Sequence, residues 1–201
     1  MATKISAPKP EFSPYTSQQV IESALVIGRA LDVDLIRQAQ GGDEAAFTEL
    51  LRPLVGPAYR LAGAMLHDPQ ASEDAVQEAS LKAWRKVRQV KPGATMKPWF
   101  LGIVANECRE MRRGRWWSVL KLAAPEPPPT PGPESSASYS DLRRAISRLT
   151  HRRRLLLVLR WYLDLPVGEI VLITGGSEDA VKSELSRAIG QLRNLLGDDE
   201  R

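Results

Sequence analysis

Residues 72–115 read SEDAVQEASLKAWRKVRQVKPGATMKPWFLGIVANECREMRRGR. Two helical periodicities on either side of a Pro92-Gly93 break decide the fold class. Val76, Ala79, Ala83, Trp84 and Val87 recur at helical steps and predict a helix over about 72–88, with Ser72 as its N-cap. Residues 89–97 predict a loop. Pro98 suits the first turn of a second helix over about 98–114, whose core side is Phe100, Ile103, Val104, Cys108 and Met111.

The charge pattern across this stretch is as informative as the periodicity. Residues 34–78 hold three Lys/Arg against eight Asp/Glu, whereas residues 82–115 hold ten against two. Adjacent acidic and basic surfaces suit a chain that meets a protein on one side and a polyanion on the other. Asp74, Gln77, Glu78 and Leu81 stand at i, i+3, i+4 and i+7, one helix face opposite Trp84. A carboxylate pair beside an exposed leucine makes a protein-docking surface, although a soluble acidic face has the same pattern. On the next helix Trp99, Asn106, Arg109 and Arg113 share a face, with Arg112 beside them. The loop before it adds Arg88 and Lys91. Two helices flanking a basic loop can grip a phosphate backbone while the loop receives an unstacked base. A basic helix C-terminus complementing its own dipole explains one or two of these arginines, not the set.

Outward from this stretch, residues 1–33 form an N-terminal extension. Its first sixteen residues are polar and proline-bearing and predict disorder, and a helix is expected over about 18–31. Residues 34–66 predict two helical stretches with an apolar stripe from Phe47 to Met65, kinked or interrupted at Pro53 and Pro57. Residues 119–140 contain PEPPPTPGPESSAS and predict a stiff, extended linker without a core. Beyond it, helices are expected near 139–149, 151–163, 167–173 and 177–196. The expected fold is therefore all-α: two small helical domains, over 34–118 and 141–196, joined by a flexible linker.

The second domain has the shape of a helix-turn-helix. Gly175-Gly176 permits a tight turn. Val181, Leu185, Ala188, Leu192 and Leu195 point inward, leaving Lys182, Ser183, Ser186 and Arg187 on the side that can reach phosphates and base edges. A helical hairpin with a solvated face fits the pattern equally well. Arg152, Arg153 and Arg154 begin a helix, where cations oppose the dipole, and so they fit either an anionic partner or a solvated run.

The remaining features narrow the function class. The chain has 201 residues, 43 % hydrophobic, and a net charge of +4. Its single cysteine, Cys108, excludes an intrachain disulfide and fits a cytoplasmic protein. There is no apolar run long enough to span a membrane and no signal-peptide core. His67, His151 and Cys108 have no catalytic or metal-ligand spacing and no phosphate-binding glycine loop is present, so neither an enzyme nor a cofactor is expected.

The order DLIRQAQGGDEAAFTELL, ASEDAVQEASLKAWRKV, PWFLGIVANECREMRR, linker, helix-turn-helix resembles the extracytoplasmic-function (ECF) sigma factors of bacterial RNA polymerase, over about residues 34–196. The resemblance implies a sigma-2 domain and a sigma-4 domain with no covalent chemistry. It implies that Asp74, Gln77 and Glu78, with Leu81, dock on the clamp helices of the largest polymerase subunit. Lys86, Arg88, Lys91, Asn106, Arg109, Arg112 and Arg113 would then hold the opened −10 element, the loop from about 86 to 96 receiving a flipped base. Lys182, Ser183, Glu184, Ser186 and Arg187 would meet the −35 element. Many members are held by an anti-sigma factor. Glu184 departs from the family pattern, since an arginine is common there; a carboxylate repels phosphate but can accept from a cytosine amino group. Two other readings fit parts of the chain: a stand-alone helix-turn-helix regulator, and a sigma-like adaptor whose DNA reading is weakened.

Overall fold

The computed structural model describes residues 32–91, 93–121 and 137–198, with the side chains of 114–121, 137–141, 143 and 197–198 left aside. The expected helix over 18–31 and the centre of the proline-rich stretch lie outside the described residues. Among the described residues the protein is all-α, with no strand. Helix α1 covers residues 32–40. It is followed by α2 (Glu44–Leu66), α3 (Pro69–Lys86) and α4 (Met96–Lys121) in the first module. The second module holds α5 (Ala137–Arg148), α6 (His151–Leu157), α7 (Val167–Thr174) and α8 (Glu178–Asp198).

Local chemistry sets the boundaries and corrects several expectations. Asp43 caps α2 by accepting from the N–H groups of Ala45 and Ala46. Pro53 and Pro57 lie inside α2 without interrupting it. Each removes one backbone donor, and their four-residue spacing puts both on one side of the helix, where Pro53 is exposed and Pro57 half-buried. Water can then satisfy the freed carbonyls, while the buried stripe from Phe47 to Met65 holds the helix to the core. The N-cap of α3 is Asp68, not Ser72: its carboxylate accepts from Ala71 N–H and Pro69 takes the first helical position. Ser72 is buried one turn in and donates to the Asp68 carbonyl. Helix α4 begins at Met96 rather than at Pro98, and α4 and α5 both run into the expected 119–140 linker. The stretch after Gly114 meets no proline until Pro125, so nothing local stops the helix.

The apolar faces of α2, α3 and α4 pack together around Leu61, Met65, Phe100, Leu101 and Val104. Phe47 meets Trp84 with ring centroids 5.0 Å apart. In the second module Leu156, Leu159, Leu165, Ile170 and Val181 are fully buried. A widened, π-helical turn over Val158–Tyr162 ends α6, and its first two carbonyls, of Val158 and Leu159, accept from the N–H groups of Leu163 and Leu165. Gly175 and Gly176, at φ of 73° and 94°, make the turn between α7 and α8 in a backbone region that disfavours a side chain.

The two modules touch. Helix α7 packs on α4, where a methyl group at Gly102 would lie 3.9 Å from the Cα of Ile173. Buried residues of both modules form one continuous apolar cluster. Arg154 on α6 also crosses the seam, donating to the carbonyl of Met65 at the end of α2.

Candidate protein-docking and nucleic-acid interface

The exposed face of α3 changes sign along its length. Glu73, Asp74 and Gln77 are exposed and Glu78 is half-buried in the first half, and Leu81 beyond them is 52 % exposed. Lys82, Arg85 and Lys86 then line the C-terminal half, which also suits the helix dipole. Gln77 is held to Glu73 by a 3.4 Å hydrogen bond. The predicted docking residues therefore share one accessible face, and a basic surface begins one turn further on.

That basic surface is the wall of a groove of about 470 Å³ between α3 and α4. Lys82, Arg85 and Lys86 line one side, and Ile103, Asn106, Glu107, Arg109 and Glu110 the other. The two acids do not cancel the positive charge of the groove, because four cations, Lys82, Arg85, Lys86 and Arg109, stand against them. Lys82 Nζ lies 2.7 Å from Glu107 Oε2 and 3.2 Å from Glu110 Oε2. The hydrogen bond to Glu107 raises the Lys82 ammonium above its ordinary range, with burial opposing and Glu110 adding to the rise. Arg85, Lys86 and Arg109 remain exposed. Arg109 donates to Asn106 Oδ1 at 3.3 Å, so the asparagine amide nitrogen is turned away from that contact and open to a ligand.

Of the predicted nucleic-acid residues in the first module, Lys86, Asn106 and Arg109 come together in the groove. Arg88 and Lys91 lie on the adjoining turn and loop, both exposed. Arg113 is exposed one turn beyond Arg109, whereas Arg112 is half-buried toward the second module. The loop is anchored from behind: Gln40 donates to the carbonyls of Val87 and Val90 at 3.3 and 2.9 Å, and Val90 and Met96 are buried at its two ends. Trp99 is half-buried, and Phe100 is fully buried. Cys108 is a core residue whose thiol is pushed up to about 12, first by burial, which leaves it unreactive near neutral pH.

In the second module, α8 presents Lys182, Ser183, Ser186 and Arg187 to solvent and buries Val181, Leu185 and Ala188. Ser177 accepts from the N–H of Ala180 at the start of the helix. Lys182 is tied to Glu178 at 3.2 Å. Glu184 is less exposed than this set, and its Oε2 lies 3.9 Å from Arg187 Nη1. Its side chain is 25 % exposed and its carboxylate lies 3.2 Å from Arg153 Nε. Arg153 also donates to Gln191 Oε1 at 2.6 Å. Glu184 is thus one end of a tie between α6 and α8.

The family follows from comparison with known proteins. Residues 47–118 match the family described as Sigma-70 region 2, and residues 139–192 match Sigma-70, region 4. The RNA polymerase sigma factor SigV of Bacillus subtilis is 30 % identical over 140 residues, which span 69 % of this chain and 83 % of SigV. The chain is a sigma factor of the sigma-70 family, in its ECF group. A probable RNA polymerase sigma factor, RfaY of Xanthomonas campestris pv. campestris, is 29 % identical over 168 residues, which span 79 % of this chain but 42 % of the relative. In fold, this sigma factor is similar to the sigma factor RpoE of Bartonella quintana, seen in complex with the anti-sigma factor NepR. The TM-score is 0.62 at 23 % identity, covering 75 % of this chain and 96 % of that one.

Region 2 of this sigma factor thus holds the sign-changing α3 face and the groove, and region 4 holds the helix-turn-helix. Sequence reasoning missed Lys82 and Arg85 as groove residues, although their spacing to Lys86 on one helix was visible. It also missed Gln40, for which no local pattern exists: the contact joins residues 47 and 50 positions apart.

Proposed function

We propose that this sigma factor binds core RNA polymerase through the α3 face of Asp74, Gln77, Glu78 and Leu81, and then recognises and opens promoter DNA. The observation that carries the reading is the change of sign along α3. A protein-docking face and a cationic groove share one rigid helix, so docking fixes where the groove stands relative to the polymerase. Lys86, Arg88, Lys91, Asn106, Arg109 and Arg113 then meet the −10 strand, the arginines taking phosphates and Asn106 presenting an amide to a base edge. Lys182, Ser183, Ser186 and Arg187 meet the −35 element. Glu184 acts chiefly by holding α8 to α6 through Arg153, and its second carboxylate oxygen lies 3.9 Å from Arg187.

The protein works in the cytoplasm, where polymerase and promoter are, and performs no covalent chemistry. An anti-sigma factor is a further partner in this reading, by analogy with the NepR-bound neighbour. In vitro transcription with core polymerase on a promoter library tests the function: sigma-dependent transcripts sharing −35 and −10 sequences are expected. Binding of duplex DNA without core, with no transcript in its presence, would favour the stand-alone regulator instead.

A further inference from the structure

The four cations of the groove between α3 and α4 differ in what they have left to offer a ligand. A lysine ammonium carries three N–H donors. Those of Lys82 meet three acceptors: Glu107 Oε1 at 2.8 Å, Glu107 Oε2 at 2.7 Å and Glu110 Oε2 at 3.2 Å. No donor of Lys82 remains for a phosphate. Arg85 and Lys86 are exposed. Arg109 gives one N–H to Asn106 and keeps its other donors among the described residues. The two acids differ as well. Glu107 is 5 % exposed, whereas the Glu110 side chain is 64 % exposed and lines the groove.

A carboxylate buried as deeply as that of Glu107 is costly unless it is paired, and Lys82 pairs it through both oxygens from the facing helix. Glu110 stands in water and needs no partner to remain charged. It lies one helical turn from Asn106 on the same face of α4 and next in sequence to Arg109. Left alone, its charge would repel a phosphate at the wall where a strand is to bind. We propose that Lys82 is a positioning residue for strand binding: it meets no phosphate itself, but ties α3 to α4 through Glu107 and masks the charge of Glu110. Arg85, Lys86 and Arg109 are then left to face the strand. This inference rests on the promoter reading, and adds to it a lysine that works through two acids.

The test separates the two tasks of Lys82. Urea denaturation of the full chain reads the first: Lys82→Met, which leaves Glu107 buried and unpaired, should be less stable than Lys82→Met/Glu107→Gln. The second is read with holoenzyme assembled from the full chain and core polymerase. Its ligand is a fluorescent single-stranded oligonucleotide carrying the −10 sequence of a promoter that the parent transcribes. Lys82→Met/Glu107→Gln has the parent's net charge and no unpaired buried charge, yet it should bind the strand about tenfold more weakly, because Glu110 is unmasked. Adding Glu110→Gln should restore the parent's affinity and salt slope. Adding Glu49→Gln instead, which neutralises an exposed acid on α2, should not. Undiminished binding by Lys82→Met/Glu107→Gln, or equal rescue by Glu49→Gln, overturns the proposal. So does a salt slope that stays lower by about one after Glu110→Gln is added, since Lys82 would then be a phosphate contact itself. If the parent holoenzyme binds no strand, the promoter reading fails and the inference falls with it; if the parent binds and the variants depart from this pattern, the inference alone fails.

Discussion

Two arginine-rich segments look alike in the sequence and differ in the structure. In α4, CREMRR carries Arg109, Arg112 and Arg113; at the start of α6, HRRR carries Arg152, Arg153 and Arg154. Arg109 and Arg113 face solvent beside a groove, and no carboxylate neutralises them among the described residues. The second set is engaged within the protein. Arg152 donates to the Thr174 carbonyl, Arg153 to Glu184 and Gln191, and Arg154 to four carbonyls. Cationic charge near a helix end is therefore not by itself a nucleic-acid surface. What separates the segments is whether acceptors from distant elements reach the guanidinium.

The comparison breaks most visibly at Arg154. Arg154→Met should destabilise the protein by about 3 kcal/mol or more, since it leaves several buried carbonyls unsatisfied. Arg113→Met, at an exposed site, should stay within about 0.5 kcal/mol. Urea denaturation of the two variants measures the gap; near-equal losses would mean that Arg154 is no more embedded than Arg113. The next largest effect is expected on the docking face. Asp74→Ala combined with Glu78→Lys should weaken core-polymerase binding by about 2 kcal/mol or more while leaving stability little changed, and unchanged affinity would remove the face from the account.

Glu184→Ala comes next and sharpens the comparison on the partner side. Freeing Arg153 should cost about 1 kcal/mol of stability, the upper end for a pair that is not fully buried. Selection on randomised −35 DNA should return the same base preferences as the parent; a relaxed preference at one position would show that Glu184 reads a base. The smallest effect is a pH dependence at the seam. His151 is held near 4 in the folded state against an ordinary 6.5, so the unfolded chain binds the proton more readily. Its contribution to stability is present above pH 6.5 and is lost as pH falls toward 4. Thermal unfolding in chloride buffer should show that decline, and His151→Gln should flatten it.

Much of this was legible in local pattern. The helices of both modules, the Gly175-Gly176 turn, the inward face of α8 and the grouping of Asp74, Gln77, Glu78 and Leu81 all follow from spacing. What stayed hidden depends on contacts between distant residues. Pro53 and Pro57 read as breaks because local rules count the lost hydrogen bonds and not the buried stripe that holds α2 to its neighbours. Ser72 reads as a cap as readily as Asp68 does, and only the following Pro69 at the first helical position separates them. Glu184 reads as a DNA-facing acid until α6 supplies Arg153, 31 residues upstream. The packing of α7 on α4 has no local trace at all.

The central claim is that α4 carries the free cationic face and α6 does not. The most direct test is the salt dependence of promoter binding by the polymerase holoenzyme, measured for Arg113→Gln and Arg153→Gln beside the parent. The account predicts that Arg113→Gln lowers the slope of log affinity against log salt by roughly one, the loss of one phosphate contact, while Arg153→Gln leaves the slope unchanged. A slope lowered by Arg153→Gln and untouched by Arg113→Gln would contradict it.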